Sequence, residues 1–199
     1  MRVGVDDGIF PTKPTLVGEQ VLLRPFQPED VEAMGPILAD PEVLRLTGSV
    51  STTAEVEAAT PELDQRTRTW YATRNEQTDR LDLAVVDRAT GRCVGEVVLN
   101  EYRPEDDACN FRILVGPDGR DRGLGTEAAR LVINHAFATT TLNRISLDVQ
   151  ADNPRARRSY EKVGFVVEGV LREEITFDGV RGDNVIMAVL RSDWERGRG

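Results

Sequence analysis

The chain has 199 residues, 40% of them hydrophobic and 30% charged, a balance that builds a globular core and excludes collagen-like, disordered and disulfide-scaffold classes. Its formal charge of −9, from 25 basic and 34 acidic residues, argues against a sequence-independent grip on nucleic acid and mildly favours a cationic partner. Cys93, Cys109 and the single histidine, His135, cannot assemble a zinc site or a disulfide framework, so no metal is expected. No apolar run approaches the roughly 18 residues of a membrane span, and the start Met1-Arg2-Val3-Gly4 lacks an apolar leader, so a cytoplasmic protein with no membrane partner is expected.

Residues 1 to 18 mix Gly, Pro and Asp without periodicity and read as an irregular arm, with the folded domain expected over residues 17–199 and the arm proper over 1–16. Val21-Leu22-Leu23 reads as a strand. Pro28-Glu29-Asp30 opens a helix with Val31, Met34, Ile37 and Leu38 at helical spacing, and its acidic first turn suits the helix dipole. Residues 53 to 76 read as helical but broken by Pro61, with Leu63 and Trp70 as anchors. Three antiparallel strands follow: Leu81 to Val86, Cys93 to Asn100 and Cys109 to Val115, joined by turns at Asp87 to Gly91 and Tyr102 to Asp107. After Gly123 the period becomes helical, with Leu124, Ala128, Leu131 and His135 on one stripe, which gives His135 a structural role. Ile145 to Val149 alternates as a strand, so strand, helix and strand make a parallel crossover. A second helix runs from Asn153 to near Gly164, and Phe165-Val166-Val167 and Asn184 to Leu190 supply further strands. The architecture expected is one mixed α/β (α+β) sheet flanked by helices.

Gly119-Arg120-Asp121-Arg122-Gly123-Leu124-Gly125-Thr126 lies between a strand and a helix, where two glycines admit close backbone approach and free amides at a helix start attract anions. A Gly-rich surface turn with flanking arginines is the competing reading. Gly123, Gly125 and Ala128 also satisfy GxGxxA, with Asp148 25 residues after Gly123. A dinucleotide fold closes its first glycine directly after the strand, however, and here Gly116 to Arg122 intervene. No Gly-Lys-Ser/Thr follows, which excludes a P-loop. In the second helix Asn153 is a good N-cap and Pro154 a good first residue, and Asn153, Ala156 and Tyr160 share one side. Tyr160 is therefore either a core aromatic or a phenol beside a ligand. Arg120, Arg122, Arg155, Arg157 and Arg158 gather at the starts of the two helices, where α/β proteins bind ligands, and favour a polyphosphate.

Arg120-x-x-Gly123-x-Gly125, followed by Asn153-x-x-Ala156 and Tyr160-Glu161-Lys162-x-Gly164-Phe165, resembles the GNAT acetyl-CoA-dependent N-acetyltransferases. Val17 to Pro25 and Gly169 to Glu173 through Asp193-Trp194 are similar to the branch holding the ribosomal-protein N-acetyltransferases of the RimJ and RimL type. The resemblance implies a twisted mixed sheet, mostly antiparallel, whose central parallel pair splays to admit pantetheine. It further implies acetyl-CoA as cosubstrate, an amine acceptor such as a peptide or ribosomal-protein N-terminus or a small-molecule amine, and room for a homodimer. Carried over, Val115 bonds the pantetheine or acetyl group. Arg120, Arg122, Gly123, Leu124, Gly125 and Thr126 lie on the turn whose backbone amides take the pyrophosphate. Asn153 contacts the cofactor arm, and Tyr160 protonates the departing thiolate. The chain departs from the family at Asn110, where many members carry a glutamate base and where an amide cannot accept a proton. Asp148, Glu96 and Glu101 are the candidate replacements, with Asp148 preferred. The absence of a Cys-His pair implies direct amine attack in a ternary complex without a covalent enzyme intermediate. A non-catalytic acetyl-CoA sensor is the alternative that Asn110 leaves open.

Overall fold

The computed structural model describes residues 8–197; the first part of the expected arm, residues 1–7, lies outside them. One eight-stranded sheet carries the fold. Its strands are β1 (Leu16–Val17), β2 (Val21–Arg24), β3 (Leu81–Asp87), β4 (Arg92–Arg103), β5 (Ala108–Val115), β6 (Arg144–Gln150), β7 (Val166–Phe177) and β8 (Val180–Leu190). They run in the spatial order β1-β2-β3-β4-β5-β6-β8-β7. Every neighbouring pair is antiparallel except β5 and β6, which are parallel and joined through helix α5 (Leu124–Thr139).

The remaining helices are α1 (Pro28–Leu38), α2 (Pro41–Leu46), α3 (Thr53–Ala58), α4 (Gln65–Ala72), α6 (Pro154–Val163) and α7 (Arg191–Arg196). Local chemistry sets their starts. Asp40, Thr52, Asp64 and Asn153 each accept a first-turn backbone N–H, satisfying an otherwise orphaned donor. Pro28, Pro41 and Pro154 take first-turn positions that need no N–H.

Side chains alternate across the sheet and build two cores. Cys109, Phe111, Ile145, Leu147 and Val149 join Leu124, Ala128, Val132 and Phe137 of α5 on one face. On the other, Ala84 and Val86 pack with Phe26, Met34 and Ile37, and with Tyr71 from α4.

Four expectations are corrected. Leu16 and Val17, read as part of an irregular arm, pair with Leu23 and Leu22, and Phe10 is buried in the first core. The α2 helix was not foreseen, because six residues are too few for a periodic pattern. In α4 the fully buried anchor is Tyr71, while Leu63 and Trp70 pack at its margin. The buried stripe of α5 is rotated toward Ile133 and Phe137 and leaves His135 half-buried, with burial lowering the imidazole's pKa.

Candidate active site

The parallel ladder between β5 and β6 is short. Ala108, Cys109 and Asn110 pair with Arg144, Ile145 and Ser146, and there the pairing stops. β5 stays bonded to β4 as far as Val115, and β6 to β8 as far as Gln150. Each strand is thus held on its outer side only, and a cleft of about 630 Å³ opens between them.

The cleft gathers residues from well-separated parts of the chain. β5 supplies Asn110, Arg112 and Val115; the following turn and α5 supply Arg120, Gly123, Gly125 and Thr126; β6 supplies Asp148; Asn153 and Tyr160 come from the start and body of α6. Eight residues singled out from sequence therefore share one cavity: Val115, Arg120, Gly123, Gly125, Thr126, Asp148, Asn153 and Tyr160.

At the start of α5, Gly123 holds φ +82° and no side chain caps the first turn. A β-carbon at Gly125 would lie 3.4 Å from Val115 Cγ2 and 3.9 Å from Ile113 Cδ1, so this glycine keeps the helix start open toward the β5 wall. The amides of the first turn carry the partial positive charge of the helix end. They fit an anionic group.

Two members of the expected set contribute no side chain to the cleft lining. Leu124 is fully buried in the core, so only its backbone can contribute. Arg122 points away from the cleft, donating to Asp87 Oδ2 at 2.9 Å and to the Asp118 carbonyl at 3.0 Å. Arg120 does line the cleft, but its guanidinium is spent on Val115 O, Glu42 and Asp40. Arg155 pairs with Glu42, and lies 3.7 Å from Asp121. The local basic pocket expected from the sequence is largely neutralised by acids of α2 and the neighbouring loops. These contacts clamp α2 over one end of the cleft, and Gln150, donating to Arg45 O at 2.8 Å, holds it from β6.

Tyr160 packs edge-on to Phe111, with ring centroids 5.9 Å apart, and against Phe165. Burial, and then the nearby Asp148 charge, push its phenol up to about 12, so it stays protonated at neutral pH. Asp148 is exposed on the cleft and accepts from Asn184 Nδ2 at 3.3 Å. Of the other candidate bases, Glu101 lines the cleft at φ +54°. Glu96 is 7% exposed and does not line it. Burial, followed by the Asp82 charge, pushes its carboxyl up to about 7. Asn110 donates to Asn100 Oδ1 at 3.0 Å. Cleft residues missed from sequence include Glu42, Arg112, Gln150 and Asn184. The Asp40-Pro41 capping pair and an amide heading the apolar run Val185 to Leu190 were the available signals.

Residues 20–166 match the profile of the acetyltransferase (GNAT) domain. The chain belongs to the GNAT acetyltransferase family. Its relatives include an N-acetyltransferase 9-like protein of Caenorhabditis briggsae, 29% identical over 75% of this chain and 76% of that one. A spermidine N(1)-acetyltransferase of Escherichia coli is 28% identical over 58% of this chain and 62% of its own length. Among solved structures, the spermidine N-acetyltransferase of Vibrio cholerae in complex with CoA and spermine superposes with a TM-score of 0.75 at 22% identity, covering 89% of this chain and 99% of that one. As a GNAT member the protein is an acetyl-CoA-dependent N-acetyltransferase, which favours the enzyme over the binding-only reading. The mixed sheet with its splayed parallel pair is the fold expected of it.

Proposed function

We propose that the protein transfers the acetyl group of acetyl-CoA to a primary amine by direct attack in a ternary complex. The carrying observation is that the uncapped start of α5, the phenol of Tyr160 and the carboxylate of Asp148 line one cleft. The first-turn amides of Leu124, Gly125 and Thr126 would hold the pyrophosphate, and the Val115 backbone and Asn153 the pantetheine arm. Bound there, acetyl-CoA supplies the thioester carbonyl.

Asp148 takes the proton of the arriving ammonium. The C–N bond forms as the C–S bond breaks. Tyr160 gives its proton to the leaving sulfur, and the proton then shed by the nitrogen restores the phenol. Neither cysteine enters this scheme: Cys109 is fully buried, and desolvation by burial pushes both thiols up to about 12, away from the thiolate that a nucleophile requires.

The similarity to the RimJ and RimL branch supports peptide N-termini as acceptors, and the spermidine acetyltransferase relatives support small amines. Acetyl-CoA consumption measured across N-terminal peptides, polyamines and aminoglycosides tests the reading. Thiol release with at least one amine is expected; release with none, by folded protein that binds coenzyme A, overturns it.

A further inference from the structure

Two opposite charges stand across the splay without cancelling each other. β5 and β6 last pair at Asn110 and Ser146, so Arg112 and Asp148 each lie two residues further on and share a face of the sheet. It is the face of α1 and α4, since Leu114, in step with Arg112, packs with the core of Met34 and Tyr71. Both side chains are exposed and both line the cleft.

The Arg112 side chain makes no hydrogen bond or ion pair with any described residue. The carboxyl that feels its charge is Glu96, which burial and Asp82 keep partly protonated near neutrality, with a pKa of about 7. Arg112 is therefore poorly compensated.

Asp148 receives one weak bond, from Asn184 Nδ2. A carboxylate only accepts, so this contact fixes the amide with Oδ1 turned away from Asp148. Asn184 is 8% exposed, lines the cleft, and its Oδ1 has no hydrogen-bond partner. With that oxygen facing away, the remaining lone pairs of Asp148 are the acceptors for a donor arriving from the cleft. An ammonium has donors and no acceptor.

The other acids on the cleft do not extend this seat into a polyanionic groove. Glu42 is held by Arg120 and Arg155, and Arg155 also lies close to Asp121. A polyamine would meet one or two free carboxylates, then the unpaired charge of Arg112.

The geometry points to a zwitterionic acceptor, an amine that carries an anionic group such as a carboxylate, with its ammonium at Asp148 and its anion at Arg112. This names the substrate class of the cleft and rests on the acetyl-transfer reading of it.

Calorimetric titration of the protein saturated with coenzyme A tests the seat without requiring turnover. The probes are amino acids from glycine to 6-aminohexanoate, alkylamines of matching length, and spermidine. At least one amino acid binds about tenfold or more tighter than its matching alkylamine. In Arg112→Gln that ratio falls toward one, and Asp148→Asn weakens both classes; Arg112 is exposed, so its variant keeps the wild-type circular dichroism. Spermidine as the tightest probe, no preference for the zwitterion, or a preference that survives Arg112→Gln overturns the proposal. Thiol release with the tightest probe is followed separately: selective binding without release overturns the transfer reading and leaves the seat supported, whereas release without selective binding does the reverse.

Discussion

At the scale of single residues, the cleft separates groups that do chemistry from groups that hold shape. Tyr160 keeps its proton because burial and Asp148 both oppose the phenolate. Tyr160→Phe removes only the hydroxyl, so kcat falls by about 10² to 10⁴ while the Kd for acetyl-CoA stays close to wild type, read by steady-state rates beside calorimetry. Gly125 is the cleaner probe of the anion site, since Gly123 at φ +82° strains under any substitution whereas Gly125 has ordinary contact distances ahead of it. Gly125→Asp places bulk and negative charge at the helix start, and acetyl-CoA affinity drops strongly while the melting temperature changes little. Unchanged affinity in calorimetry would remove the pyrophosphate from that turn. Glu96 offers a stability test. Its carboxyl is pushed from an ordinary 4.5 up to about 7, chiefly by burial. Between those values the folded chain binds the extra proton, so the group's contribution to stability declines as pH rises from about 4.5 through about 7, by up to about 1.4 kcal/mol per unit, and is level above. Glu96→Gln escapes that loss, so its melting temperature gains on the wild type between pH 5 and pH 8. A gain that shrinks over that interval contradicts the burial argument.

At the scale of elements, what the sequence disclosed followed from how local each signal is. The start of α6 was legible because Asn153 caps and Pro154 begins the helix within two residues, and β3 to β5 were legible from alternating runs bounded by turns. The clamp on α2 was not, since Arg120 finds Asp40 and Glu42 80 and 78 residues away, and Arg155 finds Glu42 113 residues away. Chain order carries no sign of which carboxylate will neutralise which guanidinium, so a cluster of arginines looked like a basic pocket. The seat at Arg112 and Asp148 was hidden for a related reason: it exists only where the β5–β6 ladder ends, and register across a parallel pair is a tertiary fact. The strand positions of the cysteines decide another question. Cys109 on β5 is buried in the first core and Cys93 on β4 packs at the edge of the second, so neither presents a thiolate to the cleft. The double replacement Cys93→Ala and Cys109→Ala costs stability, on the order of 1–2 kcal/mol for lost packing, but leaves turnover measurable. Acetylated cysteine trapped by mass spectrometry during turnover would replace direct attack with a two-step mechanism.

At the scale of the whole molecule, a charge of −9 surrounds a cleft that is itself nearly balanced. Several acids of the α3–α4 segment and the β4–β5 turn have structural partners: Glu55 accepts from Ser51 N at 2.7 Å, Asp64 caps α4 through Thr67 N at 2.7 Å, and Asp106 pairs with Arg103 at 3.0 Å. Of the acids around the β4–β5 turn, Glu101 lines the cleft while Glu105, Asp106 and Asp107 do not. Attraction for an incoming ammonium is therefore a diffuse field of the whole surface rather than a lined channel, and such a field is screened beyond about 10 Å at 0.1 M salt. For a singly charged alkylamine, kcat/KM falls gently as ionic strength rises, because encounter weakens while the cleft chemistry is untouched. For an amino acid of the same length, whose net charge is zero, the long-range attraction nearly cancels and kcat/KM is flatter over the same range. Initial rates from about 0.02 to 0.5 M sodium chloride, spanning several-fold in screening length, separate the two slopes. A salt-independent alkylamine reaction removes steering by the net charge. An amino-acid reaction that collapses with the same salt shows instead that the charges at the cleft, not the field of the molecule, set the encounter.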